Sequence, residues 1–321
     1  MSIKVFIQTG VFQGGPAVFR KRIIPFLNED PDLEIVNNIN KKFDVELAFI
    51  RQVYKHNKPY ILRADGCYYE ESRKNLNKNI KVAMSGAKHI IFQSKFSFDL
   101  CNQVLGVKEK MKKRGMSYSI IYNGIDLKTV EKIEKNKDIE PGSFITCAGW
   151  RPNKRPISTI EGFIKANTGR HLYIIGDEGF SKGQKISKDY WEQKSKYLHV
   201  LGKKSNKKII SIMKACDYQL HLCHIDSCPN AVVEGLSCGL NVLCTNLGGT
   251  KELVGNNGVV LNVDSRWEGK YLKSKNLDNI NPDIVAEGIH KLLKIKERPK
   301  RRDLDISKVV KEYVKIIKNI Y

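Results

Sequence analysis

Residues His221–Glu252, HLCHIDSCPNAVVEGLSCGLNVLCTNLGGTKE, read as a turn, a short helix, a buried strand and a glycine-rich turn opening another helix. Pro229 suits a first helical turn, so the helix starts just after it. Gly239 supplies the left-handed residue that ends it. Asn241–Thr245 (NVLCT) then suits a buried strand, with Gly248-Gly249-Thr250 at its carboxyl end. In open α/β sheets that edge is where ligands bind. Two acids, Asp226 and Glu234, stand eight positions apart across the helix start. Beside an N–H-rich turn, such an acid suits a ligand that carries both hydroxyls and phosphates. Alone, the segment is also compatible with an ordinary strand–helix–strand unit bearing surface acids.

The flanking sequence repeats the plan. Tyr218–Cys223 feeds the stretch, preceded by a helix over Lys207–Ala215. Leu198–Leu201 is a short strand ending in Gly202-Lys203-Lys204-Ser205, and His171–Ile175 is a strand ending in Gly176-Asp177-Glu178-Gly179. Ser143–Ala148 is followed by the basic turn Gly149–Pro156 and a helix over Thr159–Ala166. A first series precedes it. Ile3–Gln8 runs through Thr9-Gly10 and Gln13-Gly14-Gly15-Pro16 into a helix around Ala17–Asn28. Strands follow at Asp44–Ile50, Pro59–Arg63, Ala87–Gln93 and Ser119–Tyr122, with a short helix expected over Arg51–His56 and a helix capped by Ser94. Strands alternating with helical stretches argue for parallel sheets. Thr129–Gly142 is polar and charged, and is read as the linker. The expected division is therefore 1–137 and 138–304, each Rossmann-like, and a final helix over 305–321. In that helix Ile306, Val309, Val310, Tyr313, Val314 and Ile317 recur at helical spacing, a face sized for core packing rather than a membrane.

Composition bounds the function. With 321 residues, 41% hydrophobic and 28% charged, the chain fits two α/β domains and lacks an apolar run able to span a bilayer. Met1–Gly10 reads as a strand and turn rather than a signal peptide, so a cytoplasmic protein is expected. The eight cysteines are scattered without paired C-x-x-C knuckles and are read as reduced thiols. His221, Cys223, His224 and Cys228 match no common zinc spacing, and no metal is assigned. A net charge of +22 implies anionic surroundings, or only a lysine-rich surface, since lysine is spread throughout. The basic clusters Lys108–Arg114 and Lys291–Arg302 lack the aromatic residues of a single-strand binding groove, so nucleic acid is not expected. The first glycine turn is not the dinucleotide fingerprint, which counts against a nicotinamide-dependent oxidoreductase. Peripheral membrane contact through the basic surface stays open.

Two Rossmann-like halves imply a cleft between them. Arg151, Lys154 and Arg155 of one loop would project into it with Asp226, Glu234, Gly249 and Thr250 of others. Clustered cations suit a diphosphate leaving group. The Glu234 carboxylate suits the paired hydroxyls of a ribose.

At these residues the chain resembles the retaining, nucleotide-sugar-dependent glycosyltransferases of the family 4 type, which have the GT-B architecture: α/β, with two Rossmann-like domains facing across a cleft. The resemblance is strongest from Gly149 to Gly258. Asn123-Gly124-Ile125-Asp126 is similar to the turn closing their N-terminal domain, and the loop after Cys147-Ala148-Gly149 to their Gly-Arg-x-x-x-x-Lys loop. Asp226-Ser227-Cys228-Pro229-Asn230 through Glu234 resembles their two-acid signature. The resemblance implies transfer of a sugar from UDP or GDP to a glycan, lipid-linked or protein acceptor, with retention and without a metal or other cofactor. It implies leaving-group or catalytic roles for Arg151, Lys154, Arg155 and Asp226. Donor contacts would come from Gly14, Gly15, Gly202, Lys203, Asn230, Glu234, Gly249 and Thr250, and acceptor-side contacts from Arg63 and Asp65. Three departures stand out. Asp226 replaces the usual Glu, Pro229 replaces a glycine and removes its N–H, and Trp150 stands at the Arg position with Arg155 at the Lys position. A shift of one residue would put Arg151 and Lys154 in those roles. The departures also admit a catalytically impaired relative that binds nucleotide-sugar.

Overall fold

The computed structural model describes residues 2–9, 14–177, 187–264, 271 and 280–321. Gly10, Gln13, Glu178 and Gly179 of the expected turns lie outside them. The chain divides into two compact units, one containing Met1–Asp126 and Asp303–Tyr321, the other Leu127–Arg266 and Lys275–Arg302.

In the first unit the strands are β1 (Ile3–Phe6), β2 (Leu33–Val36), β3 (Val45–Phe49), β4 (Tyr60–Ala64), β5 (His89–Phe92) and β6 (Ser117–Ile120). They form one parallel sheet in the order β2-β1-β3-β4-β5-β6. Strands β3, β4 and β5 are buried along their whole length, the continuous apolar run expected where helices cover both faces. Edge strand β2 was not foreseen. Its exposed Glu34 and four-residue length leave little apolar signal.

The expected helix over Arg51–His56 does not form. Strand β3 ends in a tight turn at Ile50, whose φ is 64° and whose successor donates its N–H to Phe49 at 2.7 Å. The chain then folds back over Glu46, a carboxylate buried inside the sheet. Its Oε2 lies 2.7 Å from His56 Nε2 and accepts from Gln52 Nε2 at 3.1 Å. Solvating that acid takes precedence over helix propensity.

The final helix, Ile306–Ile320, belongs to this first unit. Asp305 caps it by accepting from the Ser307 N–H. Its predicted apolar face is buried in the core built on β1, β3 and the Gly15–Leu27 helix, with Tyr313 6.2 Å from Phe19 ring to ring. Gly124 explains the Asn-Gly-Ile-Asp turn. A Cβ there would stand 2.9 Å from Val309 Cγ2 and 3.0 Å from the Ile306 Cα. The turn can therefore pair with the helix start, Ile125 donating to Leu304 and Ile306 to Ile125, both at 2.9 Å. Among the described residues no helix is long and apolar enough to cross a membrane.

The second unit holds β7 (Phe144–Cys147), β8 (Leu172–Ile175), β9 (Leu198–Gly202), β10 (Tyr218–His221), β11 (Asn241–Thr245) and β12 (Gly258–Leu261). Their order is β12-β11-β10-β7-β8-β9, again all parallel. Helices Pro156–Ala166 and Pro282–Leu293 pack together in its core, the latter and β12 unforeseen. The division falls at Asp126/Leu127, earlier than the expected 137/138. Lys214 holds the Leu127–Lys132 segment to this unit by donating to the carbonyls of Val130 and Glu131 at 2.9 Å, and to that of Ile133.

Removing the Tyr313 ring should expose this dependence. Tyr313→Ala is expected to destabilise the first unit by about 3–5 kcal/mol, as large aromatic truncations in cores do, read as a lower urea midpoint.

Candidate functional site

Strand order in the second unit reverses between β7 and β10: the chain leaves β7 toward β8 and β9, then returns to build β10 on its other side. The loops after these two strands diverge there, at the carboxyl ends where open α/β sheets usually bind ligands. The loop after β7 carries the basic residues, and the loop after β10 carries Asp226.

The basic loop gives its cations different surroundings. Trp150 is buried in the core of the unit. Arg151 is exposed and leads into a single 3₁₀ turn, Pro152–Lys154. Lys154 Nζ reaches Asp226 Oδ2 at 2.5 Å. Arg155 adopts the left-handed conformation, φ 51°, and points the other way. Its guanidinium grips Asp264 through two hydrogen bonds of 2.9 and 2.6 Å, and lies 3.0 Å from His224 Nδ1. His224 Nδ1 is also 2.8 Å from Asp264 Oδ1, so this one ring nitrogen stands between an obligate donor, Arg155, and an obligate acceptor, Asp264. Adjacent cations thus have different partners. Lys154 faces the crevice acid, while Arg155 is committed to Asp264.

Asp264 and His224 were not anticipated as a pair. Asp264 follows β12, a strand the apolar pattern does not reveal, and the spacing of His224 carries no signal of a carboxylate partner. Asn246, after β11, fixes Asp264 by accepting from its N–H at 2.9 Å and donating to its carbonyl at 2.7 Å. His224 N–H donates to Asn153 at 2.8 Å, tying the two loops together.

The glycine turn after β11 closes on the same point. Gly249 N–H donates to the Asp226 carbonyl at 2.8 Å. Gly248 has φ 116°, and a Cβ there would lie 2.9 Å from that carbonyl oxygen. Thr250 follows, its buried Oγ1 without a hydrogen-bond partner among the described residues. Asn230 opens the helix Asn230–Ser237, after Pro229 as expected. Glu234 lies on that helix, buried, and accepts from Asn206 Nδ2 at 3.1 Å. Asn206 begins the helix capped by Ser205, which brings the Gly202–Ser205 turn beside Glu234. Lys203 is exposed, 3.7 Å from Asp177.

Electrostatics favour the charged forms. Burial works against the Lys154 ammonium, but the Asp226 carboxylate outweighs it and raises its pKa. Burial likewise opposes the Asp226 charge, and the Lys154 ammonium above all overcomes it, so its carboxyl is held below the ordinary value. Arg151 adds positive potential, which helps Asp226 stay ionised. His221, buried, is pushed down to about 4 and stays neutral. Of the residues weighed as metal ligands, His221 and Cys223 approach each other and Asp226, each offering an atom within 4.8 Å of the others. His224 is taken up by Asp264.

In the first unit, Gly14 precedes the Gly15–Leu27 helix with φ 72°. Arg63 and Asp65 sit at the carboxyl end of β4. Arg63 is fully buried, hydrogen-bonded to Asp65 and Asn123 and stacked 4.3 Å from the Phe19 ring. Gln93 donates to Asp65 at 2.5 Å.

Two α/β units of this kind with such turns define the GT-B fold. Solved structures agree. A glycosyltransferase from Rickettsia africae superposes with a TM-score of 0.64 at 12% identity, over 99% of this chain and 98% of that one. Anabaena HepE in complex with UDP-glucose gives 0.57 at 14% identity, over 100% and 98%. Trehalose-6-phosphate synthase OtsA gives 0.64 at 9% identity, over the whole of both chains. The profile of glycosyl transferases group 1 matches residues 130–305, more than half the chain, and the protein belongs to that family. An uncharacterized glycosyltransferase of Methanocaldococcus jannaschii is 26% identical over 210 residues, covering 64% of this chain. The chain spans about half, 54%, of the length of that relative.

The Asp264 cluster predicts a pH signature. Burial opposes the Asp264 charge, but hydrogen bonds from His224 and Arg155 outweigh it and depress its pKa. Stability from such a carboxylate is present above the unfolded value of about 3.9 and lost as pH falls through the lower folded value. Asp264→Asn is therefore expected to be less stable than the parent in urea at neutral pH, with the difference shrinking as pH falls below the ordinary carboxylate range. Arg155→Ala, which strands the buried carboxylate, is expected to cost about 3–5 kcal/mol.

Proposed function

We propose that the protein transfers a glycosyl group from a nucleoside-diphosphate sugar to a glycan, lipid-linked or protein acceptor, with retention of anomeric configuration. The observation that carries this reading is the Lys154–Asp226 ion pair at the switch point of the second sheet, with Glu234 on the adjoining helix. UDP-glucose bound to HepE, a protein of the same fold, supports a donor of this class.

In this reading Glu234 accepts two hydrogen bonds from the ribose hydroxyls, and Asn206 orients its carboxylate. Asn230, Gly249, Thr250 and the Gly202–Lys203 turn surround the nucleotide. Lys154 and Arg151, rather than Arg155, meet the diphosphate. As the anomeric C–O bond breaks, its electron pair passes to the diphosphate, and the Lys154 ammonium stabilises the growing charge. The acceptor oxygen bonds to the same face of the anomeric carbon, and its proton passes to a donor phosphate oxygen. Asp226 keeps Lys154 positioned before the donor arrives. Arg63 serves the acceptor side by holding Asp65 in place. An ammonium in this role replaces a divalent cation, so turnover should survive chelation. The protein acts in the cytoplasm, with its basic surface able to approach an acidic membrane.

A second reading, a nucleotide-sugar-binding protein with little turnover, is favoured by one observation: Trp150, at the family's arginine position, is buried and brings no charge to the crevice.

A thermal-shift panel of UDP-, GDP- and ADP-sugars should raise the melting midpoint for one base. Glu234→Ala should weaken that binding by about 10- to 100-fold, the worth of hydrogen bonds to a charged acceptor. Lys154→Ala should lower kcat on the order of 10²- to 10³-fold, with a smaller effect on donor affinity. Nucleotide binding with no sugar transfer or hydrolysis would select the second reading, and no nucleotide binding at all would exclude both.

A further inference from the structure

We propose that His221, Cys223 and Asp226 form a binding site for a soft divalent transition-metal ion, zinc(II) being the type case, which enters in place of the Lys154 ammonium. The argument begins with the end of β10. His221 is its last residue, and the loop that follows brings Cys223 back to the same side, two positions on. The loop then presents Asp226. One ligand atom from each residue lies within 4.8 Å of the other two.

A nitrogen, a sulfur and an oxygen at such spacing form a zinc-type set, and three protein ligands leave the fourth position open. His221 is buried, and its Nε2 has no hydrogen-bond partner among the described residues. An imidazole nitrogen left without a partner inside a protein carries a desolvation cost that a metal bond would remove. Cys223 is buried as well, its thiol 3.3 Å from the Ile225 carbonyl.

The place is already a cation site. Lys154 Nζ lies 2.5 Å from Asp226 Oδ2 and supplies the positive charge that the carboxylate needs. A tetrahedral centre with bonds of about 2.0–2.3 Å separates its ligands by roughly 3.5 Å. The set must therefore contract by roughly 1 Å, within the reach of side-chain rotation. On binding, metal–nitrogen, metal–oxygen and metal–sulfur bonds form, the Cys223 thiol proton passes to solvent, and the lysine swings away from Asp226 with its charge intact. Ion and ammonium are competitors for one carboxylate. This site stands on the ligand geometry alone and does not depend on the proposed transfer reaction.

The test is direct titration of the metal-free protein with zinc chloride by calorimetry, without nucleotide. One ion per chain is expected to bind with micromolar or tighter affinity. His221→Ala and Cys223→Ser should each weaken it by at least the roughly 10- to 100-fold that loss of even an outer-shell partner costs. Lys154→Met, which removes the competing cation, should tighten it several-fold. That last change separates this site from any other thiol or imidazole on the surface. Cobalt(II) added to the unaltered protein should show a thiolate-to-metal absorption band, a readout that needs no variant to fold. Binding retained in the His221→Ala, Cys223→Ser double variant, no tightening in Lys154→Met, or no thiolate band with cobalt would each overturn the proposal.

Discussion

The Arg155 guanidinium, buried against Asp264, is the interaction on which the second unit's crevice depends. Taking both charges out of water is costly, and the two-fold hydrogen bonding, completed by His224, offsets that cost. What results is direction rather than much net stability. Arg155 is locked in a left-handed turn at the start of the Pro156–Ala166 helix, so the residue before it must face the opposite way. That residue is Lys154. Through Asn246 and His224 the same cluster ties together the loops after β7, β10, β11 and β12. Lys154 thus pairs with one carboxylate while Arg155, one position on, is paired with another.

The first unit meets a similar problem in a related manner. At the carboxyl edge of its sheet, Arg63 is buried with Asp65 and Asn123, and Phe19 covers its face. Gln93 joins from the end of β5. In both sheets a buried arginine collects the polar groups of several strand ends, where backbone and side-chain dipoles would otherwise compete for water. Arginine suits this because its planar donors satisfy several acceptors at once.

Much of this architecture was legible in the sequence, for stated reasons. Central strands such as Pro59–Arg63 and Asn241–Thr245 are buried on both faces, so they appear as uninterrupted apolar runs. The final helix was legible because its heptad-like face is complete. Edge strands β2 and β12 were not, since half their surface is open and their runs are four residues long. The non-helical Arg51–His56 segment followed from a long-range demand, the burial of Glu46, that no local pattern records. In the crevice, residue types were readable but their partners were not. Asp226 and Glu234 stood out by spacing, whereas the choice between Lys154 and Arg155 hinged on Asp264, more than a hundred positions away in sequence.

The placement of the Ile306–Ile320 helix has a consequence for the order of synthesis. Its apolar face completes the core of the unit that begins with β1, and Gly124 leaves room for its first turn. The second unit, by contrast, is made of residues lying between those two segments. During translation the unit whose sheet emerges first therefore waits, with its core uncovered along one side, until the rest of the other unit has been made. Of the two units, the one that starts to emerge earlier is the one finished later. That interval is when chaperones would find apolar surface on the nascent chain.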